Sequence, residues 1–78
     1  MGKAKDKVTP RMVVTQLMMI IKADRGAANG RITLFNRVRN LRRPARAMAC
    51  ILAAQIHGDT ELMEAANHRY KQLCKGGA

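Results

Sequence analysis

The chain has only two prolines, and each stands where a helix would begin. Pro10 follows Thr9, a good N-cap residue, and Pro44 follows Arg43. A proline at the first helical position loses no hydrogen bond, and its fixed φ is already helical. The residue before a proline is driven toward extended backbone, so a helix ahead of Pro44 has to stop by Arg43. A third boundary is Gly58-Asp59: glycine closes one helix in the left-handed conformation and aspartate caps the next. Residues 24–30, with Gly26, Asn29 and Gly30, read as a loop. Helices are therefore expected over about 10–23, 31–43, 44–57 and 60–74. Residues 1–8 read as a disordered basic tail, 9–75 as a single helical domain and 76–78 as a frayed C-terminus.

The apolar patterning agrees with an all-α bundle of three to four short helices. In the first segment only Arg11, Thr15, Gln16 and Lys22 are clearly polar, so its apolar arc is wide. The third segment is apolar nearly all round, as suits a central helix with close neighbours. Leu62, Ala66, Tyr70 and Leu73 make a stripe on the fourth, with Glu61 and Glu64 in its first turns and Arg69, Lys71 and Lys75 toward its end. Seventy-eight residues bury a small core, and the first and third helices carry more apolar surface than it can absorb. A homodimer is the expected consequence.

Charge carries the functional signal. The net charge is +10, and residues 25–58 contain no Asp or Glu. That stretch holds seven arginines and no lysine, whereas lysine (Lys3, Lys5, Lys7) dominates the N-terminal tail. Arginine presents a planar fork that suits phosphate and guanine edges. On a helical wheel Leu34, Phe35, Val38 and Leu41 fall on one arc, and Thr33, Asn36, Arg37, Asn40 and Arg43 on the opposite one. Arg39 flanks the polar stripe, while Arg42 lies nearer the apolar side and has to snorkel. Like charges without acidic neighbours destabilise a fold unless an anion compensates them. The expected interface is therefore Arg31, Thr33, Asn36, Arg37, Arg39, Asn40, Arg42, Arg43 and Arg46, with Lys3, Lys5, Lys7 and Arg25 adding non-specific attraction. Met18 to Arg37 can also be laid on a helix-turn-helix, with Gly26 in the turn and Ile32 and Phe35 in buried positions.

Composition narrows the classes. One Tyr, one Phe and no Trp argue against an aromatic base-stacking sheet. Two Cys and two His, scattered, give no zinc spacing, so no metal and no cofactor are expected. His57 reads as an exposed helix-end residue, Cys50 as buried and Cys74 as exposed. No catalytic constellation is visible, which argues against an enzyme. The longest apolar stretch, 12–21, is too short to span a bilayer. A cytoplasmic location with reduced thiols is expected, on the nucleoid if the host is bacterial. The leading expectation is a nucleic-acid-binding protein with a regulatory or architectural role, DNA slightly ahead of RNA, of the kind found as bacterial, plasmid or phage regulators. The alternatives are an adaptor or inhibitor docking on an acidic protein surface, with Met12, Met18 and Met19 as its anchor, and a ribonucleoprotein subunit.

One local resemblance bears on the adaptor alternative. Asp59-Thr60-Glu61-Leu62, followed by Ala65-Ala66-Asn67-His68-Arg69 and Leu73, resembles the C-terminal part of the Hha/YmoA family, small helical modulators that bind the nucleoid protein H-NS. The gap between the two parts is about one helical turn shorter here, and Asn67 stands for an Asp. The resemblance covers about fifteen residues and implies partnership with a DNA-bound protein rather than direct base reading.

Overall fold

The computed structural model describes residues 7–26 and 28–76. Four helices make up the fold: α1 Pro10–Arg25, α2 Ala28–Arg39, α3 Pro44–His57 and α4 Thr60–Gly76. The described residues form no strand. The three punctuation points act as expected. Thr9 is extended and its Oγ1 accepts a hydrogen bond from the Met12 N–H at 3.2 Å. Gly58 closes α3 at φ 82°, and Asp59 Oδ1 accepts from the Leu62 N–H at 3.2 Å to cap α4. Arg43 is extended ahead of Pro44.

The second helix differs from expectation at both ends. It begins at Ala28 rather than Arg31, so the α1–α2 connection is only residues 26–27. Gly30 is not a turn residue. It lies inside α2 where that helix crosses α1, and a Cβ there would stand 2.9 Å from the Ala23 carbonyl oxygen. Glycine is used for close backbone approach, which sequence alone does not distinguish from a turn. The helix then ends at Arg39, four residues early. Arg43 serves as the N-cap of α3 and cannot also be helical, and Leu41 is held outside the helix by its carbonyl, which accepts from Arg69 Nε on α4 at 2.8 Å. Arg42 and Arg43 therefore lie on a connector, and the helical wheel that made Arg42 snorkel does not apply to it.

Packing follows the small residues. α3 lies against α1 and α4, and α2 lies against the same two helices on the other side. Ala45, Ala47, Ala49, Cys50, Ala53 and Ala54 of α3 are buried, which lets its neighbours come close. Ile20, Leu34, Val38 and Leu62 are the large side chains of the core. Each stabilises the fold by about 1.5–3 kcal/mol through removal from water. Tyr70 and Leu73 of the α4 stripe are half-buried. The C-terminal ends of α1 and α3 meet where His57 contacts Asp24. Their N-terminal ends meet where Arg46 stands beside Thr9, Met12 and Gln16. The two helices thus run in the same sense, and α2 and α4 run against them.

The wide apolar arc of α1 is only partly absorbed. Ile20 and Ala23 are buried, while Val14 and Met18 are exposed; on α3, Leu52 and Ile56 are exposed as well. Cys50 is fully buried, and desolvation pushes its thiol up to about 11, whereas Cys74 is exposed. None of the helices is long and apolar enough to cross a membrane, among the described residues.

Gly30 provides a direct test of the α1–α2 crossing. At an ordinary helix interior Gly→Ala stabilises by up to about 1 kcal/mol. Gly30→Ala is expected to destabilise by about 1–3 kcal/mol instead, because the added methyl meets backbone rather than a flexible side chain. Urea unfolding followed by circular dichroism reads the sign.

Candidate functional site

Every charged group of α2 starts from the same acid-free sequence, yet the fold treats them differently. Arg31, in the second turn of α2, reaches across to the α3–α4 corner. Its Nη1 donates to Asp59 Oδ2 at 2.8 Å and to Asp24 Oδ1 at 3.4 Å; its Nη2 donates to Asp59 Oδ1 at 3.3 Å and to Glu61 Oε1 at 3.1 Å. The guanidinium also lies over the Phe35 ring, 5.1 Å from its centroid. His57 Nε2 contacts the other oxygen of Asp24. Three carboxylates are thus gathered around one arginine, and the guanidinium is held more firmly protonated than usual, first by its hydrogen bond to Asp59. The Asp59 carboxyl is in turn held below the usual carboxylate range, chiefly by the Arg31 hydrogen bond and further by the Leu62 N–H. Sequence alone puts Arg31 on the open basic face, whereas the structure places it inside this cluster. The acids that compensate it lie just outside the acid-free stretch and meet it only through the fold.

The consequence is a segregation of charge along α2. Asp24, Asp59 and Glu61 gather at the end where Arg31 stands. Arg37 and Arg39 stand at the other end, about 9–12 Å further along the helix axis. Arg42 and Arg43 follow on the connector, and Arg46 opens α3 beside Arg11 of α1. All six of these arginines are exposed, and among the described residues none has a carboxylate within 4 Å. Lys7 is exposed just ahead of α1, at the same end; Lys3 and Lys5 lie outside the described residues. No side chain caps the first turn of α3, so the N-terminal dipole of that helix adds to the positive field there. Arg25 stands apart, as the last residue of α1 beside the acidic end. Arg69 is bound to Leu41 and to Gln72.

The polar stripe of α2 borders a groove of about 400 Å³ between α1, α2 and the start of α3. Asn36, Arg37, Asn40 and Arg46 stand on it, Thr33 joins them, and Leu34 and Val38 form its apolar floor. Gln16 and Thr15 of α1 line the opposite wall. Arg39 faces away, with Ile32 and Phe35. Sequence reasoning missed Arg11, Thr15 and Gln16. Arg11 stands at the basic end, and Thr15 and Gln16 border the groove beside it, because α1 and α3 run in parallel, and no local signal in the chain announces that. Ile32 corrects the helix-turn-helix alignment. The motif needs it buried, and it is 59% exposed, because α2 turns Leu34 and Val38, not Ile32, toward the core.

Comparison of the chain with family models, with curated proteins and with solved structures found no match. Within the segment that resembles Hha/YmoA, Leu62 and Ala66 are core residues, Arg69 anchors the connector, and Asn67 and His68 are exposed.

Asp59→Asn separates capping from pairing, since asparagine caps as well as aspartate. It is expected to lower stability near neutral pH by about 1–2 kcal/mol. This is the lower part of the charge-assisted range, because Arg31 is 36% exposed and solvent screens it. The folded carboxyl titrates below its unfolded value, so its contribution is complete above about pH 3.9 and is lost as pH falls through the lower folded value. Denaturant midpoints for the two proteins should therefore converge as pH falls below about 3.9.

Proposed function

We propose that the protein binds nucleic acid through the basic end of α2, the α2–α3 connector and the start of α3, in a regulatory or architectural role. The observation that supports this is the segregation of charge. Arg37, Arg39, Arg42, Arg43 and Arg46 are exposed with no carboxylate in reach among the described residues, while three of the chain's five acidic side chains are held around Arg31. A surface built only for solubility would intersperse the two signs. Arginine forks with asparagine and threonine between them are the groups that grip phosphate and meet base edges. Duplex DNA is the first partner to test, with RNA second. The helix-turn-helix alignment keeps Gly26 at the turn and loses Ile32, so the reading rests on the α2 face and the connector rather than on that motif.

Val14 and Met18 on α1, and Leu52 and Ile56 on α3, favour a second copy as a further partner. These exposed pairs are each one helical turn apart, on adjacent parallel helices. A homodimer across them would set two basic ends in a fixed relation, as a DNA regulator requires. Sedimentation velocity should find a dimer that Ile56→Glu converts to monomer. A wild-type monomer at all concentrations would remove the dimer from the proposal.

An adaptor for an acidic protein surface would use the same arginines, with the exposed Met18 of α1 as an apolar contact. It differs in ignoring free nucleic acid.

The double variant Arg37→Ala with Arg43→Ala is expected to keep its helix content, since both side chains are exposed. It should weaken duplex binding and flatten the dependence on salt, by roughly one unit of slope for each phosphate that is no longer neutralised. Fluorescence anisotropy with labelled duplex across a salt series measures both. No binding by the wild type to DNA or RNA at low salt would contradict the proposal.

A further inference from the structure

Among the described residues Gln16 is the one buried polar side chain, 6% exposed, on the wall of the groove that α2 faces. It takes part in none of the side-chain hydrogen bonds among the described residues. An amide with no protein partner keeps its donor and its acceptor free for water or a ligand. No polar side-chain atom among the described residues is sealed from solvent without a partner, so the amide is open to solvent, and Gln16 lines both this groove and a smaller cleft beside Thr9, Met12 and Arg46.

The groove is shaped for something small. Its volume of about 400 Å³ lies in the lower part of the range of small-ligand clefts, roughly 300–1,000 Å³. That is too little for a helix and enough for one planar ring with its sugar. Leu34 and Val38 give it an apolar floor, Gln16 a donor and an acceptor on one wall, Asn40 a second amide, and Arg37 and Arg46 two cations. An apolar floor with an amide at its edge suits the flat face and polar edge of a nucleobase. A side-chain amide pairs in two-pronged fashion with the N6/N7 edge of adenine. Exposed guanidinia beside such a pocket suit the phosphate attached to that base.

We infer that the groove between α1 and α2 takes a single unpaired nucleotide, adenine best, with Gln16 reading the base edge and Arg37 and Arg46 holding the phosphate. This rests on the nucleic-acid reading proposed for the basic end and narrows it. A uniform duplex would meet only the exposed arginines, while a bulge, loop or extruded base would also fill the groove.

The test compares hairpin stems that differ only in one unpaired adenine, made in DNA and in RNA, against wild type and Gln16→Met. Methionine fills similar space without the unpartnered amide, so the variant is expected to fold, which circular dichroism checks. Wild type should bind at least one of the bulged stems roughly tenfold more tightly than its fully paired counterpart. Gln16→Met should erase that preference and keep the salt-dependent binding to the paired stem. Equal binding of bulged and paired stems by wild type would overturn the inference and leave the proposed function standing. A preference that survives in Gln16→Met would also overturn it, by showing that the groove is not the reader. Binding to no stem at all would remove both.

Discussion

The contact between Arg31 and Asp59 decides how charge is laid out on this protein. It ties α2 to the corner between α3 and α4, elements 28 residues apart in sequence. It also fixes Asp59 as the cap of α4, since one carboxylate serves both the guanidinium and the Leu62 N–H. Asp24 and Glu61 join the same guanidinium, so the ends of α1 and α4 are drawn to one place. In a chain with five acids and fifteen bases, gathering three acids around one base leaves the remaining arginines of α2 and the connector open. The basic face is a product of where the acids went.

A second constraint comes from the alanines of α3. A core built on Ala45, Ala47, Ala49, Ala53 and Ala54 brings backbones close without large side chains between them. Such a core is thin, and it leaves Val14, Met18, Leu52 and Ile56 outside. Close packing on one side and uncovered apolar surface on the other have the same cause. Gly30 contributes in the same way at the α1–α2 crossing, where no methyl fits.

Much of the fold is legible in the sequence because its signals are local. Thr9-Pro10, Pro44 and Gly58-Asp59 each act on their own neighbours, and all three mark helix boundaries in the structure. The inward arc of α2 is legible too, since Leu34 and Val38 are buried and Thr33, Asn36, Arg37 and Asn40 exposed. What escapes depends on tertiary contact. Gly30 carries the same letter whether it turns the chain or lets two helices touch. The early end of α2 follows from Arg69 holding the Leu41 carbonyl, 28 residues away. Arg31 and Arg37 stand in the same kind of sequence, and only the fold gives one of them three carboxylates and the other none among the described residues. In sequence Gln16 is one polar residue on an apolar helix; the groove it lines exists only once α2 and α3 are placed beside α1.

In the proposed function, anionic partners meet the α2–α3 end and avoid the end built around Arg31. Titrating isotope-labelled protein with a short duplex and following its backbone and arginine side-chain NMR signals tests this residue by residue. Shifts are predicted to concentrate at Arg37, Arg39, Arg42, Arg43 and Arg46, with Arg31, Asp59 and Glu61 unmoved. Shifts centred on Arg31 and the α3–α4 corner, or spread evenly over every basic residue of the chain, would contradict it.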